Sequence, residues 1–248
     1  MAAKPQKYSL LFLFIIGVTL FVACNKKDLA PVKVASAYLD VVNSTADTLN
    51  FLVNNTRQNS FSGIYPAGAY GLYTSSGTQT YQIRKERSAV NLFTGSYNLA
   101  DTSKNIYKSL FIAGESADKT FITIDAIDSA NNKDTSDIRT DTIAMLRFVH
   151  ASYNSGNLHV VFDKGDTINI ANAAYKYTSQ YFKVYIGTRT IKIYQATDNS
   201  QLLDTTLTLQ LGLIYTLFSK GIKGGKGDNA FGVGLMTNGG IVTATGTQ

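Results

Sequence analysis

Apolar and polar residues alternate along much of the chain, in short runs that end at turn residues. The runs at 49–53 and 158–162 have large apolar residues at every second position, in the order Leu-Phe-Val and Leu-Val-Phe. A period of two is typical of a strand that buries one face and exposes the other. Turn signals such as Asp198-Asn-Ser and Gly224-Gly separate the runs. The pattern therefore predicts an all-β protein.

The alternating pattern occurs twice in the chain. The stretch beginning at Ala37 aligns without a gap with the stretch beginning at Leu146, an offset of 109 residues, so that Leu39 is matched with Phe148 and Val41 with His150. Two further blocks follow in the same order, "GTQTYQIR" with "GTRTIKIY" at an offset of 110 and "IYKSLFIAG" with "IYTLFSKG" at an offset of 108. Three matched blocks at a nearly constant offset indicate a tandem repeat.

Each repeat has the length and turn spacing of a small antiparallel sandwich with Greek-key connections. We therefore predict two tandem immunoglobulin-like antiparallel β-sandwich domains, at 34–128 and 142–248. A polar stretch at 129–141 reads as a linker or long loop between them. The chain contains no tryptophan, which excludes the Cys-Trp-Cys core of antibody domains.

The N-terminus has the three parts of a secretory signal. Lys4 and Lys7 precede the apolar run at 9–23, which is short for a membrane-spanning helix, and Cys24 follows it directly. The order Leu20-Phe21-Val22-Ala23-Cys24 resembles a bacterial lipobox, with the small residue just before the cysteine. We expect residues 1–23 to be a cleaved lipoprotein signal peptide; the alternative is a plain signal anchor with an idle cysteine.

Cys24 is the chain's single cysteine, so no disulfide can form within the chain. We expect its thiol to carry a diacylglycerol and thereby to make membrane lipid a partner, since each buried methylene contributes about 0.8 kcal/mol and two or more acyl chains anchor a protein stably. The polar segment 24–33 reads as a tether. Its "CNKKD" start is similar to that of many Bacteroidetes lipoproteins, which implies the outer membrane, with the leaflet left open.

The charge balance argues against nucleic acid as a partner. The formal net charge is +6, and without residues 1–23 the chain has 21 basic and 17 acidic side chains. The remaining basic residues are scattered, whereas phosphate binding needs clustered charge.

The stretch from Ala144 to Asp163 resembles DUF4397, a domain family of unknown function. Residues 147–152, Arg-Phe-Val-His-Ala-Ser, fit the family pattern fully, and residues 187–191 fit its Gly-Thr-Tyr-Thr-Val strand. His159 departs from it, because the family has an acid there. The resemblance implies a small sandwich domain, often in tandem on secreted or anchored bacterial proteins, and it brings no established activity or site.

Candidate chemistry is sparse. Lys220, Lys223 and Lys226 lie in a glycine-rich loop that lacks the spacing of a P-loop, so this loop is either a plain hairpin connection or a basic contact for anionic sugars or lipid headgroups. Ser116 in "GESAD" is a near miss of the nucleophile elbow, with Asp118 where the last glycine should stand.

A metal or other cofactor is not expected. His150 and His159 are the only histidines, too few by themselves for a catalytic zinc site, and His150 is better explained as a core-edge residue with one hydrogen bond. We therefore expect a lipid-anchored, non-catalytic interaction or structural module of the cell envelope that contacts an envelope protein or a glycan. The alternatives are a glycan-binding accessory lipoprotein and, more weakly, an envelope hydrolase.

Overall fold

The structure is a computed structural model that describes residues 36–59, 62–99, 107–125, 127, 143–162 and 168–240. The predicted signal peptide, Cys24, the tether and the 129–141 linker lie outside these residues. Within the described ranges, no helix has the length and hydrophobicity needed to cross a bilayer.

The described residues form sixteen strands in two groups of eight, which we call the first and second lobe. The first lobe contains β1 (Ser36–Asn43), β2 (Leu49–Val53), β3 (Thr56–Arg57), β4 (Ala69–Ser75), β5 (Thr78–Lys85), β6 (Phe93–Asn98), β7 (Tyr107–Ile112) and β8 (Thr120–Asp125). The second contains β9 (Ile143–Val149), β10 (Leu158–Phe162), β11 (Ile168–Ala173), β12 (Phe182–Tyr185), β13 (Gly187–Gln195), β14 (Gln201–Leu209), β15 (Leu213–Lys220) and β16 (Gly232–Gly240). Two short 3-10 turns, Ala117–Lys119 and Gly227–Asn229, complete the regular structure of the described chain.

Each lobe is a sandwich of two four-stranded sheets. The strand orders are β4-β1-β7-β8 and β3-β2-β5-β6 in the first lobe, and β12-β9-β15-β16 and β11-β10-β13-β14 in the second. These orders are the same when β1 is matched with β9 and each later strand with its counterpart. The predictions of an all-β fold and of two sandwich-like domains are therefore confirmed.

The sheets are rich in antiparallel pairs, as predicted, and each lobe also contains one parallel pair that the sequence did not reveal. β1 pairs with β7 in parallel, and β9 pairs with β15 in parallel, whereas the other strand pairs are antiparallel. Parallel neighbours need a long crossover connection. Here the segment from β2 to β6, or from β10 to β14, provides the crossover. Four of its strands build the second sheet of the lobe, and β4 or β12 forms an edge of the first.

The strand register also corrects the first block of the repeat alignment. Leu39 pairs with Leu72 on β4, and Leu146 pairs with Phe182 on β12. Leu72 and Phe182 each lie five residues before a turn glycine with positive φ, Gly77 in the first lobe and Gly187 in the second. Leu39 is thus equivalent to Leu146, not Phe148, and the offset is 107. A slip of two residues keeps the same face of the strand, so the hydrophobic pattern could not reveal it.

The third block was misaligned by one residue, which matters more. Val41 pairs with Leu110, and its counterpart Phe148 pairs with Leu217. Leu110 is therefore equivalent to Leu217, whereas the sequence alignment matched it with Phe218. Because a one-residue slip exchanges the two faces of a strand, the offset of 108 matched a core position of β7 with a position on the opposite face of β15.

Each lobe has its own apolar core between its two sheets. The first is built by Leu39, Val41, Phe51, Tyr81, Ile83, Leu110 and their neighbours, and the second by Leu146, Phe148, Val160, Ile191, Ile193, Leu217 and theirs. Burying a large apolar side chain contributes roughly 1.5–3 kcal/mol. Either core is thus sufficient to hold its two sheets together.

A further apolar layer joins the two lobes. Val42 and Phe111, on the other face of the first lobe's inner sheet, pack with Val149 and Phe218 of the second lobe. The Phe111 and Phe218 ring centroids are 5.7 Å apart. These four residues form two equivalent pairs. The central strands of the inner sheets, β1, β7, β9 and β15, are therefore covered on both faces, and the molecule has four layers of sheet.

A buried ion pair lies in the seam between the inner sheets. Arg147 of the second lobe is 1% exposed and pairs with Asp125 of the first, which is fully buried. Arg147 also donates to the Thr216 hydroxyl at 2.7 Å and to the Ile124 carbonyl at 2.9 Å. Its guanidinium lies 5.1 Å from the centre of the Tyr181 ring.

Asp125 is satisfied by hydroxyl and amide donors as well as by Arg147. Ser109 and Thr123 donate to its two oxygens at 2.6 and 3.0 Å, and Asn238 of the second lobe donates at 3.2 Å. A buried charge without such partners is strongly destabilising. The network therefore fixes the register of one lobe on the other.

Asp40 is a less well compensated acid in the same seam. It is equivalent to Arg147 and is 9% exposed. Burial, with a smaller contribution from the charge of Asp125, raises the pKa of Asp40 to about 6, although a hydrogen bond from Tyr38 and the charge of Arg147 act in the opposite direction. Ionised Asp40 thus costs stability at neutral pH.

Replacing Arg147 with Met should lower the free energy of unfolding by about 3–5 kcal/mol, because Asp125 would remain buried without its cation. Chemical denaturation of the full chain measures the loss. The matched control is Arg84→Met, at a site where the guanidinium makes an exposed hydrogen bond to Asn91, and its effect should stay below about 1 kcal/mol. Equal losses in the two variants would contradict the role assigned to the ion pair.

Replacing Asp40 with Asn should stabilise the protein above pH 6. Because the folded pKa exceeds the ordinary value of 3.8, the wild type loses stability as the pH rises from about 4 to 6, and the variant should lack this loss. The gain should be about 2–3 kcal/mol. Denaturation at several pH values tests it, with exposed Asp204→Asn as the control; a variant less stable than wild type at pH 7.5 would refute it.

Candidate functional site

The four inner strands β1, β7, β9 and β15 end at the same edge of the molecule. The segments that follow them surround a groove of about 440 Å³. The first lobe contributes residues 44–47, 113–115 and Lys119, and the second contributes Tyr153, Gly221, Ile222 and Asn229. Pockets of 300–1,000 Å³ at domain interfaces are the usual place for ligand binding in proteins. We call this feature the junction groove.

Contacts between the lobes hold the rim of the junction groove in place. Gly221 N–H donates to the Ser44 carbonyl at 3.0 Å. On the other side, the Tyr175 hydroxyl donates to the Lys119 carbonyl at 3.0 Å, and the Lys176 ammonium donates to the Asp118 carbonyl at 3.0 Å. The groove is therefore formed before any ligand arrives.

Two carboxylates on the first-lobe side share one ammonium. Lys85 Nζ lies 2.9 Å from Asp47 and 2.8 Å from Glu115. Its hydrogen bonds to Glu115 and then Asp47 raise the pKa of Lys85 above its usual value. The three side chains are 40–61% exposed, so the pair adds little stability, but it orients both carboxylates.

Tyr153 is the aromatic residue of the junction groove. It is 38% exposed, and the Lys119 ammonium lies 4.2 Å from its ring centre. Gly114 makes this approach feasible. A Cβ at that position would meet the Lys119 side chain at 2.5 Å and the edge of the Tyr153 ring at 3.3 Å.

His150 holds the loop that carries Tyr153. Its ring nitrogens lie 3.0 Å from Ser219 Oγ and 2.8 Å from the Gly156 carbonyl. The Ser152 hydroxyl donates to the Gly221 carbonyl at 2.6 Å and ties the same loop to the end of β15. Burial lowers the pKa of His150, so the ring is neutral at physiological pH. His150 is thus fully buried with partners on both nitrogens, rather than at the core edge with one hydrogen bond.

The three lysines singled out from the sequence border the groove but do not line it. Lys220 donates to the Asp228 carbonyl at 3.1 Å and Lys223 to Gln195 Oε1 at 2.9 Å, while Lys226 is exposed just before the 3-10 turn Gly227–Asn229. Their loop reaches the groove through other residues, Gly221, Ile222 and Asn229.

The residues proposed for a hydrolase do not come together. Ser116 precedes the 3-10 turn of the first lobe, and His150 is buried in the second lobe with other partners. His159 lies on the outer sheet of the second lobe, 2.8 Å from Asn169. In the described ranges no three His, Cys, Asp or Glu side chains gather as a metal site would require.

The exposed tyrosines do not form a platform on one sheet. Among the described residues, those with more than a third of their surface exposed are Tyr65, Tyr73, Tyr153, Tyr177 and Tyr185. Tyr73 lies on β4 and Tyr185 on β12, in different sheets, and the other three lie in loops. The described chain therefore has no flat surface of tyrosines on which a glycan could stack.

Sequence reasoning missed the groove residues Asp47, Glu115, Lys119 and Tyr153. They are far apart in the chain, and each lies in an ordinary polar loop. The one available signal was the position of each loop directly after a strongly apolar strand. That signal becomes useful once the parallel pairing of β1 with β7 and of β9 with β15 is known.

Residues 144–239 match the family model DUF4397, described as a domain of unknown function. The match covers the second lobe and confirms the resemblance there. The comparison with curated proteins finds no match.

Two solved structures show partial likeness. One is the CBM26 carbohydrate-binding module CBMbc of Eubacterium rectale Amy13K in complex with maltoheptaose, with 9% identity, a TM-score of 0.25, and coverage of 80% of this chain and 95% of that one. The other is the Bacillus anthracis TIE protein, with 10% identity, a TM-score of 0.23, and coverage of 71% and 32%. At these scores neither supports an argument about the ligand of this chain.

Replacing His150 with Asn, the residue at the equivalent position 43 of the first lobe, should lower the free energy of unfolding at pH 8 by about 2 kcal/mol, because Ser219 and Gly156 lose their partner. The difference should shrink as the pH falls below 6.5, since the wild type then increasingly pays to charge a buried imidazole whose folded pKa is lowered.

Urea denaturation between pH 5 and 8 measures both effects. The control is His159→Asn on the outer sheet, which should change stability by less than about 0.5 kcal/mol. A His150→Asn loss that stays constant over this pH range would show that the ring is not held neutral.

Proposed function

We propose that the chain is a lipid-anchored, non-catalytic recognition module of the bacterial outer membrane, and that it binds an envelope partner in the junction groove. The observation that carries this proposal is the composition of the groove, which takes residues from loops of both lobes. The groove exists because the two lobes are joined. The contact between the lobes therefore creates a binding surface as well as stabilising the protein.

The rigid seam supports a binding function. The apolar cluster around Phe111 and Phe218 and the Arg147–Asp125 pair hold the lobes in one arrangement. A preformed groove loses less conformational entropy when a partner binds than two hinged domains would. This favours recognition by a fixed surface.

The anchor enters the proposal through the sequence at Cys24. The segment from Lys4 to Cys24 has the order of a lipoprotein signal, and acylation of the thiol would hold the mature chain at the membrane. The proposal applies to either leaflet of the outer membrane.

Replacing Tyr153 with a photo-reactive benzoylphenylalanine should yield an adduct on the full chain when cells of its bacterial host are illuminated, because a partner occupies the groove. Mass spectrometry of the purified chain detects the adduct. The same replacement at Tyr65, which is 60% exposed outside the groove, is the matched control and should yield none.

Combining Cys24→Ser with the Tyr153 replacement tests the anchor. The double variant should leave the membrane fraction, lose labelling by radioactive palmitate and lose the adduct. Equal adducts at positions 153 and 65, or no adduct at 153, would refute the groove as the recognition site, and unchanged palmitate labelling would refute the anchor.

A further inference from the structure

We infer that the junction groove binds a neutral carbohydrate chain. This inference rests on the proposed function, because it names the class of ligand for the same groove. It is carried by the charge balance, hydrogen-bonding groups and aromatic residue of the groove.

The charged residues that line the groove are Asp47, Glu115 and Lys119, and Lys85 beside the groove compensates the two carboxylates. Asp47 and Glu115 are acidic, Lys85 and Lys119 are basic, and Lys85 already neutralises part of both carboxylates at 2.8–2.9 Å. The Lys119 ammonium is directed to the Tyr153 ring rather than to an open anion site. Neither a strongly anionic nor a strongly cationic ligand would gain from the net charge, which favours a neutral one.

The groove demands a ligand that both donates and accepts hydrogen bonds. Ionised carboxylates such as Asp47 and Glu115 can only accept, and an ammonium such as that of Lys119 can only donate. The exposed amide of Asn229 on the opposite side does both. A hydroxyl group can serve all of them, and a sugar carries several hydroxyls in a fixed arrangement.

Tyr153 supplies the apolar contact that a sugar ring needs. Its ring is 38% exposed in the groove, and an aromatic ring combines a broad apolar face with a polar hydroxyl at the tip. The C–H face of a pyranose fits such a surface while its hydroxyls reach the flanking charged groups. Gly114 leaves room for the Lys119 side chain beside the ring, since a Cβ at this position would collide with Lys119.

A peptide is a poorer fit than a sugar. Extended peptides bind by adding a strand to a sheet edge, and the groove is lined by loops that follow strands β1, β7, β9 and β15, not by a strand edge. Helical ligands need an apolar groove, whereas Ile222 is the one large aliphatic side chain among the lining residues.

The test is binding of the full-length chain, purified in detergent, to an array of neutral gluco-, manno-, galacto- and xylo-oligosaccharides beside uronate-containing and sulfated ones. We expect binding to at least one neutral series. Tyr153→Ala should weaken it by about tenfold or more, as loss of a central aromatic contact does, and Asp47→Asn should weaken it as well. Tyr153→Phe should keep most of the affinity.

Tyr65→Ala is the matched control and should bind like the wild type, and thermal unfolding should show that all variants are folded. Binding to acidic glycans alone, no binding, or equal binding by the wild type and Tyr153→Ala would overturn the inference. If the array is blank while the photo-reactive group at position 153 still captures a partner, the carbohydrate inference fails and the recognition function stands. If both are blank, both fail.

Discussion

The contact between the two inner sheets is the constraint on which the rest of the molecule depends. Where an inner strand is covered on both faces, its polar side chains cannot reach water, so each must find a partner in the protein. Arg147 and Asp125 do so across the seam, with Ser109, Thr123, Thr216 and Asn238 completing the set. Asp40 has fewer compensating partners than Asp125, and burial raises its pKa. The same seam brings four strand ends together and thereby creates the groove.

The fold class and the duplication could be predicted from the sequence because they rest on local patterns. Leu49, Phe51 and Val53 alternate with Asn50, Leu52 and Asn54, and they matched their counterparts at the correct offset. The inner strands are different: β7 and β15 are apolar on both faces, so their sequences do not define a register. That is why Leu110 was matched with the wrong residue. Parallel pairing of β1 with β7 joins residues about 70 positions apart and leaves no local signal.

The candidate site was less predictable than the fold. Lys220, Lys223 and Lys226 are conspicuous in the sequence because glycines surround them, yet two of them are used in internal hydrogen bonds. Tyr153 and Glu115 line one groove because the four-layer arrangement brings loops of both repeats together. His150 was recognised as structural, but its task of holding the Tyr153 loop required Ser219, a residue 69 positions away.

The equivalence of Asp40 and Arg147 has a consequence for the history of the chain. Two identical copies of one repeat, facing each other across a twofold axis, would have opposed like with like, as Phe111 and Phe218 still do. The polar positions have since diverged, to an acid in one copy and a base in the other. At this position the two lobes are no longer interchangeable, because a second Asp40 or a second Arg147 in the seam would leave a buried charge without its opposite.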